Sequence, residues 1–171
     1  MKLPDPLHPA VVHFPIVLIL LGTVVAVVAT FASRAVTTRI SAIVWALAAA
    51  GAIAATWSGE EDEDAAENAG PAAKQLFEEH EQWGERARNA AILAALAAGA
   101  AAATVNRLPR FSGGAAVLTA VVSLAASWCV MEAGHYGGKL VYQHGVGVSQ
   151  SGPAESGKAA TREKSGHQDD D

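Results

Sequence analysis

Apolar positions in this chain gather into four unbroken runs, residues 10–31, 40–57, 89–105 and 115–131, and no Asp, Glu, Lys or Arg interrupts any of them. Each is roughly long enough, at 1.5 Å per helical residue, to cross about 30 Å of hydrocarbon. A soluble bundle would instead repeat polar residues at helical spacing along an outer face. The first run, AVVHFPIVLILLGTVVAVVATF, is apolar all round and has no such face. The other three lean on alanine, and the small residues of AAAGAIAA and AALAAGAAAA suit close packing of membrane helices. The pattern predicts an all-α integral membrane four-helix bundle over residues 1–148. The polar tail, residues 149–171, is expected to be disordered.

The segments between the runs give the bundle its sidedness. ASRAVTTR and NRLPRFSGG are short, and their only charges are Arg34, Arg39, Arg107 and Arg110. The segment between runs two and three, residues 58–88, is longer and rich in Glu and Asp. Four spans put both termini and this acidic segment on one face, and the two arginine loops on the other. By the positive-inside tendency the arginine loops are expected in the cytoplasm and both termini outside. The opening MKLPDPLHPA is not expected to be a cleavable signal peptide, because it has one lysine and three prolines where a basic region would lie. Within the acidic segment, SGEEDEDAAENAG predicts a short extramembrane helix capped by Ser58 or Gly59 and stopped at Gly70-Pro71. From Ala72 a second helical pattern runs without a strong breaker into the third span. Past the fourth run, the glycines of GHYGGKLVYQHGVGV are expected to end the helix. LVYQHGVGV would then fold back as an apolar lid anchored by Tyr142.

Charge and cysteine content exclude more than they suggest. The net charge of −5 over 171 residues comes largely from GEEDEDAAE and points to no nucleic acid partner. The single cysteine, Cys129, rules out an internal disulfide, a CxxC pair and the CxxCH attachment of a covalent haem. No nucleophile elbow, P-loop, GxGxxG or HExxH occurs, so hydrolytic and transferase chemistry has no support, while a redox role stays open.

The candidate chemistry lies in the histidines. His8 and His13 open the first span, His80 precedes the third, and His135 and His144 follow the fourth. Topology gathers all five on one face, together with the carboxylates from Glu60 to Glu67. His13 lies within an apolar run, where a polar side chain needs a partner. Pro15, two residues on, cannot donate to the carbonyl of Val11. His80, Gly84, Ala87 and Ala91 form one helical stripe with little bulk below the imidazole. His135 shares a helix face with Met131 and Trp128, and Gly134, Gly137 and Gly138 remove bulk around it.

Histidines from several helices at one end of a bundle suit haem b, held by neutral imidazoles. They equally suit a zinc, copper or iron site completed by carboxylates. A third alternative is a structural subunit whose interfacial histidines bind nothing. For haem, the expected axial ligands are His13 with His80 or His135, and His8 and His144 support them. For a metal ion, the expected set is His13, His80 and His135 with Glu60, Glu67 and Glu81.

LHPAVVHFPIVL, SGEEDEDAAE, EEHEQWGERA and GHYGGKLVYQHGVGV together resemble a family of four-span bacterial membrane proteins known as domain of unknown function 2231. The likeness covers roughly residues 5 to 148, and its first and last motifs are the specific ones. The matching positions are His8, Pro9, His13, Pro15, Gly59, Glu60, His80, Glu81, Gly134, His135, Gly138, Tyr142, His144, Gly145 and Gly147. The resemblance implies a multi-pass protein of the bacterial inner membrane, and it leaves the activity open. Some relatives resemble membrane cytochromes or are joined to electron-transfer domains on the outer side. Expected partners are therefore the lipid bilayer, a redox protein at the outer face, and further copies of the chain in an oligomer.

Overall fold

The computed structural model describes residues 8–32, 35–59 and 63–146. Its elements are α1 (His8–Val11), α2 (His13–Ala32), α3 (Ala35–Gly59), α4 (Glu63–Asn68), α5 (Pro71–Thr104) and α6 (Pro109–His144). Four helical stretches are long and apolar enough to span a membrane, beginning at His8, Ala35, Pro71 and Pro109. Among the described residues there is no strand. Val12 is the one non-helical residue between α1 and α2. Pro15 has no N–H to give the Val11 carbonyl there, while Ile16 N–H still reaches the Val12 carbonyl at 3.2 Å.

α5 and α6, at 34 and 36 residues, rise about 50 Å and so overshoot the hydrocarbon by roughly 20 Å. As the pattern from Ala72 predicts, α5 runs unbroken from outside the membrane into the third span. Gly70, at φ 105°, and Pro71 at the first turn separate it from α4.

Three local expectations are corrected. α3 continues through Gly59, so Ser58 does not cap the acidic helix; its hydroxyl donates back to the Ala55 carbonyl at 2.9 Å. Gly134, Gly137 and Gly138 do not end the last helix, which runs on to His144. A helical glycine costs about 1 kcal/mol relative to alanine, and of the three only Gly137 has a neighbour, His80, within 4 Å of where a Cβ would stand. The stop falls at Gly145, whose φ of 67° is open to glycine and strained for most other residues. Tyr142 therefore stands on the last turn of α6, 90% exposed, and only Val146 folds back, its N–H on the Leu140 carbonyl at 3.2 Å. The rest of the expected lid, Gly147 onward, and the tail lie outside the described residues.

Burial along the helices reveals an internal repeat. Pro15, Ile19, Gly22, Ala26 and Ala29 are buried in α2, and Ala87, Ala91, Ala94, Ala98 and Ala101 are buried in α5 with identical spacing. Thr38, Ser41, Trp45 and Ala48 of α3 recur in the same way as Ala116, Thr119, Ser123 and Ala126 of α6. The two hairpins thus share a burial pattern, residues of α2 recurring 72 positions on in α5 and those of α3 recurring 78 positions on in α6. Bulk is divided between the halves: Ile19 and Trp45 in the first hairpin stand where the second has Ala91 and Ser123. Trp45 is fully buried and donates its indole N–H to the Gly22 carbonyl at 3.1 Å.

Polar side chains tie the hairpins together. Thr23 Oγ1 lies 2.8 Å from the Ile19 carbonyl, 3.1 Å from the Ser123 carbonyl and 2.8 Å from Ser127 Oγ, linking α2 to α6. Interhelical bonds of this kind average about 0.6 kcal/mol and reach roughly 1.7. Thr23→Val keeps the shape and removes the hydroxyl, so it is expected to lower stability by about 1 kcal/mol in a detergent unfolding titration. No measurable change would show that the α2–α6 contact is held by packing alone.

Candidate functional site

At the end of the bundle where the sequence gathers its histidines, two of them occupy matching seats. His8 lies against the end of α3: its Nδ1 is 3.0 Å from the Ala55 carbonyl and 3.1 Å from Ser58 Oγ. His80, on α5, lies against the end of α6, with Nδ1 2.8 Å from the Ala133 carbonyl. In both seats the residue four positions after the accepting carbonyl is a glycine that makes room for the ring. A Cβ on Gly59 would come 3.0 Å from His8 Cε1, and one on Gly137 would come 3.0 Å from His80 Cε1. The two units, Ala55-x-x-x-Gly59 and Ala133-x-x-x-Gly137, lie at the same offset of 78 residues.

The seats fix the protons as well as the rings. A backbone carbonyl only accepts, so Nδ1 carries the hydrogen in each neutral imidazole, and Nε2 keeps its lone pair. Ser58 donates its own proton to Ala55, so its oxygen is able to accept from His8 Nδ1. The two rings meet with centroids 6.0 Å apart and planes at 88°. Metal-binding histidines hold the ring nitrogen away from the metal in this way, on a carbonyl or carboxylate.

Both rings line a cavity of about 350 Å³ that receives residues from all four long helices. Gly84 and Ala87 lie on its α5 wall, and Ala91 is fully buried in the core. The small-residue stripe expected below His80 therefore does face inward. Phe77, Leu140 and Val146 also line the cavity, and they belong to a small apolar cluster with Ala66 and Ala73. Glu81, Glu85 and Arg88 supply the charges on the wall.

The remaining sequence candidates are dispersed. His13 does not line the cavity; its ring is exposed, and Nδ1 closes on the Pro9 carbonyl at 2.6 Å. That local bond gives the partner which its place in an apolar run demands. His135 is exposed and meets Tyr136 edge-on at 5.5 Å, and His144 ends α6; neither lines the cavity. Glu67 on α4 pairs with Lys74, while Glu81 lies on the rim. Glu60 falls outside the described residues. Among the described residues no three His, Cys, Asp or Glu side chains are grouped to hold a metal ion. Sequence reasoning missed the pairing of His8 with His80 and the part played by Ala55, Gly59 and Ala133. The available signal was the recurrence of Ala-x-x-x-Gly at the same end of the second and fourth spans.

An all-helical membrane protein of two similar hairpins, with an imidazole from each meeting in an apolar cleft, is the class this fold and site define. The chain belongs to the family described as Predicted membrane protein (DUF2231), whose model matches residues 4–150. No curated protein and no solved structure matches it.

Proposed function

We propose that the cleft binds a b-type haem between His8 and His80, and that the protein passes electrons at the outer face of the bacterial inner membrane. The observation that carries this reading is the pair of equivalent imidazoles, each held by Nδ1 on a backbone carbonyl. With ring centroids 6.0 Å apart, His8 and His80 are close enough that both would hold one haem. Two protein donors suit a metal whose macrocycle supplies the remaining ligands; a bare ion would need more. Bound there, a haem supplies a one-electron couple. The chain's own contribution is to fix both tautomers, leave space beside Gly84 and Ala87, and keep water out with the Phe77, Leu140 and Val146 cluster. The outward placement rests on the four arginines of the opposite loops.

The test is a reduced-minus-oxidised absorption spectrum of detergent-purified protein, titrated with haem to saturation. The expected result is a Soret band with sharp α and β features, lost in His8→Ala and in His80→Ala and kept in His13→Ala and His135→Ala. A protein that stays colourless in excess haem sinks the proposal. So does stoichiometric metal without a Soret band, which would return attention to the carboxylates around Glu60.

A further inference from the structure

The repeat makes the two faces of the site alike, and departures from it show what is unlike about the ligand. Position by position, Glu81, Glu85 and Arg88 on α5 correspond to Pro9, His13 and Ile16 on the first hairpin, and Gly84 corresponds to Val12. Beyond His8, one wall of the cleft is therefore apolar, with Pro9, Val12, Pro15 and Ile16, while the facing wall carries charge. A ligand fitted to such a cleft has two equivalent faces and one polar edge.

Among the described residues lining the cavity, Arg88 is the only Lys or Arg. It lies where α5 passes from the charged stretch into the apolar third span, with its side chain only 26% exposed. An inward-facing cation at that depth is expensive unless it has a purpose. Helical side chains lean toward the N-terminus, so the guanidinium is drawn back toward His80. Its contact with Glu85, at 3.1 Å, sets it roughly 8 Å along the helix from His80. Of its five N–H groups, three are engaged: one with Glu85, one with Asn89 Oδ1 at 3.2 Å and one with Thr56 Oγ1 at 3.5 Å. One N–H on each terminal nitrogen is left for a further acceptor. Glu85 is half exposed, so its pairing with Arg88 is weak and readily shared with a second carboxylate.

We infer that Arg88 is a specificity-determining anchor for an anionic group, a carboxylate in the first instance, on the edge of the molecule that His8 and His80 hold. This rests on the proposal that the cleft takes a haem-like macrocycle. Thr56 and Glu85 position the guanidinium, and the apolar wall of the first hairpin excludes the reverse orientation.

The experiment titrates haem-free protein with two probes, haem and its dimethyl ester, in wild type and in Arg88→Gln. Wild type is expected to bind the free acid at least tenfold more tightly than the ester. Arg88→Gln is expected to bind the two with similar affinity, with the ester's Soret band placed as in wild type, showing that both imidazoles still ligate. Arg88→Lys, which keeps the charge without the fork, is expected to retain part of the preference. Equal binding of the two probes by wild type overturns the inference, as does a preference that survives in Arg88→Gln. If neither probe binds wild type, the haem proposal itself has failed, a pattern distinct from both.

Discussion

Trp45→Ala is expected to lower the stability of the bundle by about 2–3 kcal/mol, with no loss of helix at the histidine end. Trp45 is fully buried, and it is the largest side chain in a core otherwise built from Ile19 and alanines. In a soluble protein the penalty would include returning an indole to water. A tryptophan released inside a bilayer meets hydrocarbon, so that part shrinks and the cavity term remains. At about 24 cal/mol per Å³, a residual void of roughly 100 Å³ accounts for the figure. Collapse is limited because Gly22 already lies against the indole: a Cβ there would come 3.1 Å from Trp45 Cε2. Trp45→Phe, which keeps most of the volume and removes only the bond to the Gly22 carbonyl, is expected to cost about 1 kcal/mol. The measurement is reversible unfolding in mixed detergent micelles. If Trp45→Ala costs no more stability than Trp45→Phe, the indole is not filling the bundle as described.

If the cleft holds a haem as proposed, Gly137→Val and Gly59→Val are expected to weaken its binding by at least tenfold each, and by similar amounts. A Cβ at either position falls 3.0 Å from the Cε1 of the seated imidazole, and the two further methyls of valine occupy the ring's own place. The ring must then leave the carbonyl that fixes its proton. Backbone stability does not suffer, because valine is a better helix former than glycine. Gly138→Val is the control, since nothing lies within 4 Å of a Cβ built at that position. A readout independent of any ligand is the nitrogen NMR spectrum of His80, expected to show the Nδ1–H form in wild type and tautomer averaging in Gly137→Val. Equal behaviour of Gly137→Val and Gly138→Val would remove the seat from the account.

The matching seats are hard to see in the sequence for a physical reason. An amphipathic helix announces its buried face, but a span that is apolar all round does not. HFPIVLILLGTVVAVV therefore leaves open which way His8 and His13 point. The rotation of α2 against α3 decides it: Phe14 and Pro15 pack on Gly51, where an added Cβ would come 2.9 Å from Phe14 Cδ1. His8 is thereby brought to Gly59, and His13 is left on the outer surface. The repeat is hidden likewise, because the halves agree in which positions are buried but only in part in which residues fill them: Ala26 answers to Ala98, yet Pro15 to Ala87, Ile19 to Ala91 and Trp45 to Ser123. Such pairs share no side-chain chemistry, only a place in a common packing scheme.

The sequence alone determined four spans, their alternation, the helix that runs from the acidic segment into the third span, and the gathering of histidines at one end. All of these follow from where charge is absent along the chain, a one-dimensional property that the cost of placing charge in hydrocarbon makes decisive. Tertiary structure decided which two of the five imidazoles face each other, which nitrogen of each is left with a lone pair, and which wall of the cleft carries Arg88. Those depend on helix rotation and on a glycine lying opposite each ring. Rotation in an apolar environment is set by close packing between small residues, for which only the assembled bundle supplies the partners.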